Sequence, residues 1–67
     1  MNKVLIAKTD AFGDSIVLSL DHIESVFPSE DCRGLSVIRT SSGKEFYFKE
    51  NIDQLIEHLR DVIRQLP

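Results

Sequence analysis

The chain has 67 residues, enough for one small hydrophobic core whose net stability is about 3–5 kcal/mol and for which self-association is a common supplement. It is 42% hydrophobic and 28% charged with a formal net charge of −3, which excludes a disordered polyelectrolyte and disfavours a general phosphate-backbone binder. The single cysteine, Cys32, excludes an internal disulfide and a CxxC site, so a cytoplasmic setting is expected.

In chain order, residues 3–9 (Lys3-Val4-Leu5-Ile6-Ala7-Lys8-Thr9) are aliphatic and β-branched and stop at a turn signal, which predicts a first strand. Val4-Leu5-Ile6-Ala7 is too short for a signal-peptide core, and no membrane insertion is expected. With Ala11-Phe12-Gly13 as a hairpin loop and Gly13 left-handed, Ile6 faces Leu18 and Val4 faces Leu20. One face then carries Val4, Ile6, Ile16, Leu18 and Leu20, and Asp10 lies opposite Asp14 at the tip.

The next extended stretch, 15–27, keeps its alternation on even positions to Leu20 and then loses phase, since Ile23 is odd, Val26 even and Phe27 odd. Side chains alternate strictly along a strand, so the stretch must be bent or broken near Asp21-His22. Pro28-Ser29-Glu30-Asp31-Cys32-Arg33-Gly34 reads as an exposed connection.

Two more strands, 35–40 and 44–49, flank Ser41-Ser42-Gly43. That loop pairs Thr40 with Lys44, Arg39 with Glu45 as a cross-strand ion pair, and Ile38 with Phe46. Ile38, Phe46 and Phe48 share a face, whereas Leu35, Val37 and Tyr47 lie on the other, which a single helix cannot also cover.

From Asn51 onward, Ile52, Leu55, Ile56, Leu59, Val62, Ile63 and Leu66 recur three or four apart, predicting an amphipathic helix over 52–66. Asn51 suits its N-cap, and His58 falls on the polar side. An isolated helix this short is marginal in water and must dock. The fold class is therefore α+β: one domain, 1–67, built as a small antiparallel β-meander of four or five strands followed by a C-terminal helix packed on one sheet face.

Three polar groups invite a site and each has a plainer explanation. His22 beside Asp21 and Glu24 lacks ligand spacing, and a polar bulge accounts for it. Asp10 and Asp14 fall short of the ligand count of a calcium loop. Cys32 sits between Asp31 and Arg33, whose charges oppose each other. Ser15, Ser19 and Ser25 lack a nucleophile elbow or an oriented histidine, so no enzyme, metal or cofactor is expected.

Ile16-Val17-Leu18-Ser19-Leu20-Asp21-His22-Ile23-Glu24-Ser25-Val26, Val37-Ile38-Arg39-Thr40-Ser41-Ser42-Gly43-Lys44 and Phe48-Lys49-Glu50-Asn51-Ile52-Asp53-Gln54-Leu55-Ile56 together resemble the small bacterial flagellar FlbD-like (swarming-motility) family. That resemblance, shared by small phage and mobile-element proteins, implies short strands, a T-x-x-G hairpin and an acidic amphipathic helix. His22-Ile23-Glu24-Ser25-Val26 and the following hairpin have a looser similarity to the LytTR DNA-binding domains.

The expected function is a small non-enzymatic interaction or adaptor module, docking a protein partner or forming a homodimer through Leu35, Val37 and Tyr47. The alternative is a nucleic-acid-binding regulator, LytTR-like or phage-type, using Arg39, Lys44, Tyr47 and Lys49, where basic residues flank an aromatic ring suited to stacking.

Overall fold

The computed structural model describes residues 4–65. Strand β1 (Leu5–Thr9) and strand β2 (Ser15–Ser19) are followed by a 3₁₀ turn, Leu20–His22. Then come β3 (Ile23–Pro28), β4 (Ser36–Thr40), β5 (Glu45–Phe48) and the helix α1 (Ile52–Arg64). Lys3, expected to open the first strand, and Leu66, expected to end the helical stripe, lie outside the described residues.

All pairings are antiparallel, as expected for the α+β meander, and they divide into a two-stranded sheet β1-β2 and a three-stranded sheet β3-β4-β5. Both hairpin registers follow from their turns. Ile6 pairs with Leu18 and Arg39 with Glu45, while Gly13 and Gly43 take φ of 90° and 87° in the left-handed region that a Cβ disfavours. Asp10 does lie opposite Asp14, but its Oδ1 accepts from the Phe12 and Asp14 amides at 2.9 Å each, so the carboxylate satisfies the turn.

The phase slip has two physical parts. The 3₁₀ turn takes the chain out of the first sheet, and a register shift between Ile23 and Ser25 leaves Glu24 as the extra residue. That bulge turns both Ile23 and Val26 onto the core despite their opposite parity. Phe27 is left on the far face.

The core cluster is Leu18, Ile38, Phe48 and Leu55, with Ile16, Ile23, Val26 and Phe46 packed around it. Leu55 brings in the helix, whose start is fixed by a capping box. Asn51 Oδ1 accepts from the Gln54 amide at 2.8 Å, and Gln54 Oε1 accepts from the Asn51 amide at 3.2 Å. Buried Ser36 donates its Oγ–H to the Glu50 carbonyl at 2.6 Å and ties that start to β4. Along the rest of the stripe, Ile52, Ile56, Leu59 and Val62 are half-buried and Ile63 is 51% exposed, so the sheet covers the helix only in part.

Three expectations need correction. Val37 is not an exposed member of the far face; it is 1% exposed. Phe27 on β3 and Tyr47 on β5 stand directly opposite it in one cross-strand row, and two large rings flanking a central valine remove it from water. His58 is not on the solvated side but half-buried, and it reaches Lys8 on β1. Arg39 and Glu45 are register partners, yet their charged groups are not among the ion pairs formed by the described residues.

Candidate interaction surfaces

On the outward face of the three-stranded sheet the row Phe27–Val37–Tyr47 is extended by Phe12, which comes from the β1-β2 loop. The Phe12 and Tyr47 rings meet edge to face, with centroids 6.4 Å apart and planes inclined by 65°. The Ala11 amide donates to the Tyr47 carbonyl at 2.7 Å, so the loop is fastened to the outer edge of β5 rather than hanging free. Leu35 and Tyr47, two of the expected interaction residues, remain half-buried, and Phe12 is 75% exposed. The surface is therefore an aromatic ridge with Val37 as its floor.

Acidic residues border that ridge. Glu30, Asp31 and Glu45 share a shallow depression with Phe27 and Tyr47. The connection from Pro28 to Gly34 contributes the first two. It is held by the Ser29 amide donating to the Leu35 carbonyl at 3.0 Å and the Cys32 amide donating to Ser29 Oγ at 3.2 Å, which leaves Cys32 exposed.

The basic candidates do not gather. Arg39 and Tyr47 share the outward face with Glu45 between them in register, and Lys49 is exposed just beyond β5. Lys44 belongs to the β4-β5 turn and lines a different groove, with His22, Ser41 and Ser42, on the side facing β2.

His22 has a main-chain role: its carbonyl accepts from the Ser41 amide at 2.8 Å. Among the described residues no group of three or more His, Cys, Asp and Glu side chains is arranged to hold a metal ion. Nor is any helix among them long and apolar enough to cross a membrane.

Inside the fold lies a charged cluster that alternation and motif spacing do not single out. Lys8, with its side chain only 7% exposed, forms an ion pair with Glu50, and its Nζ lies 2.8 Å from His58 Nδ1 and 5.7 Å from the centroid of the Phe48 ring. An ammonium only donates, so Nδ1 is the acceptor in this contact, which corresponds to the Nε2–H tautomer. The cluster spans the seam where β1 approaches β5 and α1. A signal for it was present: Lys8 has the same parity as Ile6 on β1 and therefore points inward with it.

Elsewhere the first sheet turns Leu5, Ala7 and Val17 outward, and Leu5 and Val17 are each 61% exposed. Comparison with family models, with curated proteins and with solved structures returned no match, so the likeness to the FlbD-like family stands on the residues alone.

Proposed function

We propose that the protein is a small non-enzymatic interaction module whose docking surface is the aromatic ridge of Phe12, Phe27 and Tyr47. The observation that carries this is the Phe12–Tyr47 pair: a phenyl ring 75% exposed, fixed against a second ring by a main-chain hydrogen bond one residue away. Rigid, solvent-facing aromatic groups desolvate readily and dominate protein interfaces when a partner covers them. Leu35 borders the ridge and completes its apolar area; Val37 supports it from below.

The acidic border gives the partner's character. Glu30, Asp31 and Glu45 favour a protein segment that presents apolar side chains together with Lys or Arg, and oppose a phosphate backbone. The nucleic-acid reading through Arg39, Lys44, Tyr47 and Lys49 is correspondingly the weaker one. A resemblance to small flagellar and phage proteins fits an adaptor role in a bacterial cytoplasm, where such modules work by contact.

Amide chemical-shift mapping separates the readings. Titration with an amphipathic basic peptide is expected to move the Phe12, Phe27 and Tyr47 signals, and Phe12→Ala to abolish the response. An acidic peptide of the same length is expected to leave them in place. Binding of a single-stranded oligonucleotide at low salt, with shifts at Arg39 and Lys49, would support the alternative instead. No response of the ridge to any of the three ligands rejects the assignment.

A further inference from the structure

We propose that the protein pairs with a second copy of itself through β2, edge to edge and antiparallel, with the two-fold axis at Val17. The inference concerns a surface separate from the aromatic ridge and does not depend on it.

The ladder between β1 and β2 defines the edge. The Leu20 amide donates to the Val4 carbonyl and the Asp10 amide to the Asp14 carbonyl. In an antiparallel pair, hydrogen-bonded and non-hydrogen-bonded positions alternate, so Lys8–Ile16 and Ile6–Leu18 are also bonded pairs. The amides and carbonyls of Ser15 and Val17 and the amide of Ser19 consequently point away from β1, while the Ser19 carbonyl opens the 3₁₀ turn by accepting from the His22 amide.

Exposed edges are normally protected by charge, proline, bulges or cover. Here β3 has a bulge at Glu24 and ends in Pro28, and the outer edge of β5 is met by Ala11. β2 has none of these devices: its register is unbroken and Ser15-Ile16-Val17-Leu18-Ser19 contains no charge.

Its sequence is also self-complementary. About Val17 the strand reads serine, β-branched or γ-branched aliphatic, valine, aliphatic, serine in both directions. An isologous contact needs one patch that matches itself under a two-fold rotation. With the axis at Val17, the outward-pointing main-chain groups of Val17 meet those of Val17 of the second copy, and the Ser15 carbonyl meets the Ser19 amide of the second copy. Ile16 then lies beside Leu18 of the second copy on the inward face, so both cores continue across the junction. On the outward face the two Val17 side chains become neighbours.

One further observation favours this occupant. Along Val17, Leu18 and Ser19 the strand forms one wall of an open groove of about 280 Å³, whose other wall includes His22, Thr40, Ser41, Ser42, Lys44 and Phe46. The two-fold delivers Asp14 of the second copy to the Ser19 end of that groove, opposite Lys44, and does so twice. A four-stranded sheet also replaces a two-stranded one, which by itself is only marginally stable.

The test uses the full chain with Cys32→Ser, so that introduced thiols act alone. Val17→Cys places the two Cα atoms about 5.5 Å apart, within disulfide reach, and mild oxidation is expected to give a covalent dimer. Ser15→Cys and Ser19→Cys are each expected to cross-link poorly alone and efficiently when mixed, whereas Thr9→Cys, one strand away, is not. Sedimentation of the unmodified 7.6 kDa chain at micromolar concentration is expected to show a dimer. Val17→Glu is expected to weaken it by about tenfold or more, since the axis sets both carboxylates side by side. A strict monomer overturns the inference, as does a dimer that is indifferent to Val17→Glu and does not cross-link at Val17. Neither outcome bears on peptide binding at the aromatic ridge, which the shift mapping reads separately.

Discussion

Lys8 on β1 and His58 on α1 meet at 2.8 Å between Nζ and Nδ1, across fifty residues of sequence, and Glu50 completes the contact from the strand-to-helix junction. The charge lies almost entirely inside the fold, so removing it is not a surface substitution. Lys8→Ala is expected to cost about 1–3 kcal/mol by urea unfolding, from the lost stem packing and the unpaired Glu50. Lys8→Met, which keeps the stem, is expected to cost less. Equal losses for the two would show that the ion pair, not the packing, dominates.

The same contact dictates a tautomer. Nitrogen chemical shifts of His58 at neutral pH are expected to report a protonated Nε2 and a bare Nδ1, and Lys8→Met is expected to shift the tautomer balance. A predominantly Nδ1–H ring in the unaltered protein would contradict the geometry.

The helix start gives a third expectation. Asn51→Ala removes the side-chain oxygen that satisfies the Gln54 amide, and a loss of about 1 kcal/mol is expected in thermal or urea unfolding. Gln54→Ala removes the reciprocal bond to the Asn51 amide, which is longer at 3.2 Å, and the loss is expected to be smaller.

Val37 supplies a fourth. Because it is buried beneath Phe27 and Tyr47, Val37→Asp places a carboxylate without a partner in the interior and is expected to unfold a domain with only a few kcal/mol to lose. Circular dichroism is expected to show loss of structure for Val37→Asp but a native spectrum for Phe12→Ala. A folded Val37→Asp protein would mean that the aromatic row opens easily.

The hairpins were legible because their turns constrain them: Gly13 and Gly43 fix both loops, and each loop fixes every pair behind it. The break after Leu20 was legible as a loss of phase, though the choice of Glu24 as the bulged residue was not, since either neighbour would have restored alternation. Val37 was misplaced because alternation along one strand records which face a side chain takes and nothing about the bulk of residues beside it. The row that covers it joins positions on three strands. Lys8 was readable from β1 alone as a charge of inward parity, but its partners Glu50 and His58 come from the far end of the chain. The exposed β2 edge was invisible for a different reason: strand pairing, not residue type, decides which amides remain unpaired.

Between the two sheets the main chain is fastened by little. Among the described residues, Ala11 to Tyr47 is the one main-chain hydrogen bond that joins the first hairpin to β5, and the Lys8 cluster holds the same seam by side chains alone. Although Leu18 and Ile16 share the core with Ile38, Phe48 and Leu55, the first hairpin is expected to act as a latch that opens at lower free energy than the body. Amides of β1 and β2 are expected to exchange with solvent deuterium earlier than those at Val37 and Ile38, and to do so together as one cooperative unit. Concentrating the protein is expected to slow exchange at Val17 and Ser19 selectively, so the timing of proton loss along one short strand would record how often the latch is held by another molecule.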